Sequence, residues 1–76
     1  MWDVELDARG LEPPEPLERT LAAVALLRPG QRLRLLIHRE PFPLYAMLDG
    51  MGCAHRTEAL PDGDFAVLIE AAARHA

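Results

Sequence analysis

The sequence predicts one α+β domain, a two-layer α/β sandwich of order β-α-β-α-β-β in which two helices cover one face of a mixed four-stranded sheet. Three observations carry this. Several segments alternate apolar and polar residues with period two, as half-buried strands do. Two others place apolar residues at helical spacing. Pro, Gly and Asp clusters separate them at intervals suited to short connections. With 76 residues the chain makes a single domain, 1–76, with a core over about 2–70 and a frayed tail over 71–76. A chain this short buries a small core.

Trp2, Val4 and Leu6 alternate with Asp3, Glu5 and Asp7 and predict the first strand, broken at Ala8-Arg9-Gly10. After Leu11 to Pro16, the residues Leu17, Leu21, Val24 and Leu27/Arg28 recur at helical spacing. Proline fits the first helical turn, where N–H groups lack partners. Glu12, Glu15 and Glu18 there complement the positive end of the helix dipole. Pro29-Gly30 ends this helix. Arg32 to His38 is the second strand, with Leu33, Leu35 and Ile37 inward and Arg32, Arg34, Leu36 and His38 outward. Arg39 to Pro43 turns the chain into a short helix over Leu44–Met51, whose inner face is Leu44, Met47, Leu48 and Met51 and which Gly50 and Gly52 terminate. Cys53 to Leu60 is the third strand. Pro61-Asp62-Gly63-Asp64 is a hairpin turn into the fourth, Phe65 to Glu70, with Phe65, Val67 and Ile69 inward. Strand–helix–strand order at the start implies a parallel crossover.

Composition narrows the partners. The formal charge is −4 and the pI about 5.2, and all eight Lys-plus-Arg residues are Arg. An acidic surface repels phosphate, so nucleic acid is not expected. The lone Cys53 forbids an intrachain disulfide and suits a reducing compartment, so a cytoplasmic location is expected. Met1 to Glu5 lacks the basic and apolar regions of a signal peptide, and no apolar run reaches the roughly 18 residues of a membrane span, so no membrane role is expected.

The run Leu6-Asp7-Ala8-Arg9-Gly10-Leu11-Glu12-Pro13-Pro14-Glu15-Pro16 resembles the opening of the TusA/SirA-like family, in which a Leu-Asp…Gly-Leu stretch leads into Cys-Pro-x-Pro at the first helix. Leu27-Arg28-Pro29-Gly30-Gln31-Arg32-Leu33 resembles that family's helix-to-strand turn. The resemblance spans Trp2 to Ile69 and implies a TusA-like fold. Pro14-Glu15-Pro16 matches the Pro-x-Pro, but Pro13 stands where the sulfur-carrying cysteine would be. Proline has no thiol to accept a persulfide. With its Pro-Pro-Glu-Pro and its His38-to-Tyr45 run, the chain looks like an uncharacterised branch of that family.

A parallel crossover brings the ends of the first two strands, and both helix N-termini, to one edge, where open α/β sheets tend to bind ligands. The expected site is therefore Glu12, Pro13, Pro14, Glu15 and Pro16 beside His38, Glu40, Phe42 and Tyr45. The prolines remove N–H donors and the glutamates add negative charge, so phosphate is not expected. No cofactor is required; His38 with Glu15, Glu40 or Glu12 forms a weak metal-ion candidate, against the plainer reading that the glutamates only serve helix dipoles. Phe42 and Tyr45 are anchors of a docking surface or, equally, parts of a proline-fixed turn covering the core. Cys53 and His55, two apart on a strand, could be a metal pair or an activated thiol; a small buried Cys is the simpler reading. Arg32 and Arg34 should pair with Asp3, Glu5 or Glu70 on the open face, where Leu36 and Leu68 offer a surface for a homodimer.

No nucleophile–base constellation is legible, which points away from an enzyme. The leading expectation is a non-enzymatic binding module that uses the edge at Pro13–Pro16 and His38–Tyr45 to hold a protein partner, a small ligand or a metal ion. The alternative is a sulfur or redox relay using Cys53 or a partner thiol.

Overall fold

The computed structural model describes residues 1–73. Its elements are β1 (Val4–Asp7), α1 (Glu15–Ala25), β2 (Arg32–Ile37), α2 (Phe42–Gly50), β3 (Ala54–Ala59) and β4 (Phe65–Glu70), in the expected order. They form one four-stranded sheet of order β1-β2-β4-β3. β1 runs parallel to β2, while β4 is antiparallel to both β2 and β3. The sheet is therefore mixed, and β1 and β3 are its edges. Of the expected tail, residues 71–73 follow β4 as irregular chain, and 74–76 lie outside the described residues.

The core forms where the alternation places it. Leu33, Leu35 and Ile37 of β2 and Val67 and Ile69 of β4 are buried together with Val24 of α1 and Leu44 and Leu48 of α2. Burying a side chain of this size stabilises by about 1.5–3 kcal/mol, so these two central strands hold most of the hydrophobic stabilisation. Thr20 is fully buried among them; its hydroxyl donates to the Pro16 carbonyl at 2.7 Å, which removes the penalty of an unpaired polar group.

Element ends differ from the periodicity in four places. First, α1 starts at Glu15 and stops at Ala25, so Leu27 and Arg28 lie beyond it. Its last N–H groups tighten, Leu26 donating to Ala23 and Leu27 to Val24, both at 3.1 Å. Leu27 still packs on the core from the loop. Second, α2 begins at Phe42, two residues early, because Pro43 fits a first helical turn. Its inner face is Leu44 and Leu48; Met47 and Met51 are 44% exposed. Third, Cys53 and Leu60 lie just outside β3, and His38 just outside β2. Fourth, Trp2 leaves the alternation. A bend at Asp3 breaks the parity, and the Trp2 ring lies on the open face, 4.6 Å from the Arg34 guanidinium carbon.

On the open face Arg32 pairs with Glu70 at 2.9 Å and Arg34 with Glu5 at 3.0 Å, while Asp3 accepts the Arg32 backbone N–H at 2.9 Å. Exposed pairs like these contribute about 0–1 kcal/mol each. Leu36, expected as an apolar spot there, does face that side but is only 8% exposed. It sits on a central strand between Asp7 and Ala66, so neighbours cover it from both sides. Leu68 is half-buried.

Candidate functional site

The parallel pairing of β1 and β2 sets their C-terminal ends side by side. The ladder continues one step past β1, where the Ala8 N–H donates to the Leu36 carbonyl at 2.8 Å. Ala8 is fully buried. Gly10 then takes a left-handed φ of 86°, which an L side chain rarely adopts, and the chain turns through Leu11 to a cis Pro13–Pro14 peptide ahead of α1. On the other side β2 ends at Ile37, bends at His38 and Arg39 and enters α2.

Between these two connections lies a pocket of about 280 Å³. β2 supplies Leu35 and Ile37, α1 supplies Pro16, Leu17 and Thr20, and α2 supplies Pro43 and Leu44. Pro13 and Pro14 border it from one loop and His38, Arg39, Glu40 and Pro41 from the other. Its interior is apolar because the inward face of β2 continues to the sheet edge, and because prolines replace donors in both helix first turns.

The backbone at this edge has little to offer an anion. Pro16 and Pro43 carry no N–H. The Glu15 N–H already reaches the Glu12 carbonyl at 2.9 Å, Phe42 reaches Glu40 at 3.1 Å and Leu44 reaches Pro41 at 2.9 Å. The polar side chains at the pocket's border are those of His38, Arg39 and Glu40.

The expected site residues separate into two sets. Pro13, Pro14, Pro16, His38 and Glu40 border the pocket. Glu12, Glu15, Phe42 and Tyr45 do not. Glu15 is held by Arg19 at 2.8 Å, one turn further along α1. Phe42 is 66% exposed, so it does not cover the core; it meets Tyr45 edge-on with ring centres 6.0 Å apart. Tyr45 turns towards β3. Its hydroxyl donates to Glu40 at 3.1 Å and shares a hydrogen bond with the Thr57 hydroxyl, while its ring stacks on His55 with centroids 4.9 Å apart. Burial pushes the Tyr45 phenol above its ordinary pKa, and the Glu40 carboxylate adds to that shift.

Among the described residues no group of three or more His, Cys, Asp or Glu side chains comes close enough together to hold a metal ion. Glu15 and Glu40 are turned to Arg19 and Tyr45 instead. Cys53 and His55 likewise do not join. Cys53 is 8% exposed and packs in the core, whereas His55 Nε2 lies 2.8 Å from Asp49 Oδ1.

The family model of an uncharacterized conserved protein, DUF2249, matches residues 5–71. The chain belongs to the DUF2249 family. Its fold is similar to that of the crystal structure of a SirA-like protein from Desulfitobacterium hafniense, with a TM-score of 0.81 and 27% identity over 92% of this chain and 99% of that one. No curated protein matches the chain. The DUF2249 match runs from Glu5 to Ala71 and so spans both loops of the pocket. Among the described residues no helix is long and apolar enough to cross a membrane.

Several pocket residues of this DUF2249 chain lie outside the expected edge, namely Leu17, Thr20, Leu35 and Ile37, while Arg39 and Leu44 fall within the expected His38–Tyr45 run without having been singled out. Thr20 had a legible signal. It lies three residues after Leu17 and four before Val24, so a polar residue falls within the apolar stripe of α1. Leu35 and Leu44 gave none, because inward apolar residues look alike whether they abut another side chain or a pocket.

One ion pair tightens the same edge. Asp7 accepts from the Arg9 backbone N–H at 3.0 Å and pairs with its guanidinium at 2.9 Å, and Arg9 lies 3.6 Å from Asp64 in the β3–β4 turn. Hydrogen bonding to Arg9 holds the Asp7 carboxyl at about 2, below its usual 3.8. A carboxyl depressed on folding contributes stability that is complete above its unfolded pKa and lost as pH falls through the folded one. The expected contribution is therefore complete above 3.8 and disappears towards pH 2. An NMR titration should find Asp7 depressed in the native protein and back in the usual range in Arg9→Ala.

Proposed function

We propose that this chain is a small non-enzymatic binding module that receives an apolar group, from a protein partner or a small ligand, in the pocket between α1 and α2. The observation that carries this reading is the pocket itself, an apolar recess bordered by two proline-stiffened loops. Stiff loops lose little entropy on binding, which suits a preformed site. His38 and Arg39, both exposed at its border, would orient a polar end of the bound group.

Sulfur carriage at α1 does not fit this chain. The position before Pro14-Glu15-Pro16 is Pro13, which has no thiol, and the one cysteine is Cys53, buried beyond the other end of α2. The SirA-like fold, with Pro13 at that position, serves as a scaffold for binding at the same edge. Metal binding by His38 with Glu40 is the weaker version of the reading, since Tyr45 already uses the Glu40 carboxylate.

The test is an NMR titration of the labelled protein with indole as an apolar probe. Saturable shifts should map to Leu17, Leu35, Ile37 and Leu44. Leu17→Glu, at a half-buried position, should weaken binding about tenfold or more, equivalent to about 1.4 kcal/mol. Shifts confined to Met47, Met51 or the open face would reject the pocket as the binding site.

A further inference from the structure

We propose that the free edge of β3 pairs with the same edge of a second copy, in one register selected by Arg56 and Glu58. β3 is an edge strand of six residues, Ala54-His55-Arg56-Thr57-Glu58-Ala59, without proline or glycine. The other edge, β1, has four residues, and two of them are acidic. A regular edge of the length of β3 without proline or glycine is a template for further strand pairing.

The ladder with β4 fixes which backbone groups point outward. The Leu60 N–H donates to the Asp64 carbonyl at 2.8 Å, closing the hairpin. Hydrogen-bonded pairs alternate along an antiparallel ladder. Counting back from Leu60, the groups of Glu58, Arg56 and Ala54 face β4, opposite Ala66, Leu68 and Glu70. Those of Ala59, Thr57 and His55 face outward.

A twofold-related copy can pair with this edge antiparallel, each patch meeting itself. With Thr57 opposite Thr57, the two residues exchange N–H···O=C bonds, as do His55 and Ala59 on either side. Arg56 then stands directly opposite Glu58 of the other copy, twice, by symmetry. These are the non-hydrogen-bonded positions, where side chains come closest. Sliding the copy by one pair either way sets Arg56 against Arg56 or Glu58 against Glu58, and like charges directly opposite destabilise a sheet. The charges therefore favour one register and oppose its two neighbours.

Both side chains are available for this. Arg56 and Glu58 are exposed, on the same face of the strand, and among the described residues neither has an ion-pair partner, while Arg32, Arg34, Glu5 and Glu70 are paired within the chain. The interface runs along the sheet edge. It is separate from a dimer through the open face and independent of the pocket.

The experiment is sedimentation velocity of the full chain over a wide concentration range, with far-UV circular dichroism to confirm that each variant folds. Wild type is expected to show a concentration-dependent dimer. Arg56→Glu and Glu58→Arg should each shift dissociation to at least tenfold higher concentration. The double variant, which exchanges the charges, should recover the dimer. A monomeric wild type at every concentration overturns the proposal. So does a dimer indifferent to both single variants, which would place the contact elsewhere, or a double variant that fails to recover, which would reject the register.

Discussion

Leu35→Ala is expected to lower stability by about 2–5 kcal/mol, the range for emptying a fully buried leucine site. Leu35 lies on the central strand β2 with no exposed surface, flanked by Leu6 and Val67 and reached from one side by the pocket. Small domains begin with little margin; stabilities of about 5–15 kcal/mol are usual and short chains fall low in that range. The melting temperature should fall by at least about 10 °C. Leu68→Ala is the control. It removes the same atoms from the same sheet on the open face, where the residue is only half-buried, and should cost under about 1 kcal/mol. Leu36→Ala decides whether face or burial matters. It points away from the helices yet is buried, so it should behave more like Leu35 than like Leu68. Urea unfolding followed by far-UV circular dichroism measures all three; Trp2 is a poor reporter because it is 42% exposed when folded. Equal losses for Leu35 and Leu68 would contradict the one-sided core.

The Cys53 thiol is expected to react with iodoacetamide roughly a hundredfold or more slowly in the native protein than in urea. A thiol must reach solvent to be alkylated, and this one packs in the core just after α2, its own N–H donating to the Leu48 carbonyl at 2.9 Å. Modification then waits for local opening, and each 1.4 kcal/mol of opening free energy slows it about tenfold. The same barrier would oppose a relay that passes sulfur through Cys53. Native and denatured rates within a factor of about three would show the thiol to be accessible and move the relay reading ahead of the binding one. Incubation with a cysteine desulfurase, followed by intact mass, gives a second readout: the relay needs a mass gain on native protein, and the binding reading expects none.

Leu36 is not the position at which to test a dimer through the open face. As an exposed residue it would have been the position to charge in a test for a dimer through the open face. Because Leu36 is only 8% exposed, Leu36→Glu would place a carboxylate at a buried position and report on folding instead. Trp2 or Leu68, which remain accessible on that face, are the positions for that test.

The order of elements was legible because period two and period 3.6 are local properties. Leu33, Leu35, Ile37, Val67 and Ile69 announce their face through their immediate neighbours. The top edge was legible for a related reason: a parallel crossover must bring Pro13–Pro16 near His38, whatever the side chains do. What alternation could not supply was anything set by a neighbour distant in sequence. Trp2 follows the pattern yet lies on Arg34, because the bend at Asp3 changes its parity. Tyr45 stands next to the proline-rich loop in sequence, but its hydroxyl goes to Thr57 on β3 and its ring to His55. Met47 and Met51 share helical spacing with Leu44 and Leu48, and only the tilt of α2 on the sheet decides which pair is covered.

By itself, then, the sequence determined the two-layer fold, the inward faces of the central strands and the absence of a thiol ahead of α1. Local spacing and residue chemistry are enough for those. The tertiary structure alone decided that an apolar pocket opens between the two helix starts, that Phe42 faces solvent while Tyr45 is engaged, that Cys53 is buried in the core and that β3 is an edge strand of the sheet. Each of these depends on which surfaces meet after the chain has folded, and strand order and helix placement, unlike periodicity, are not written in any short stretch of residues.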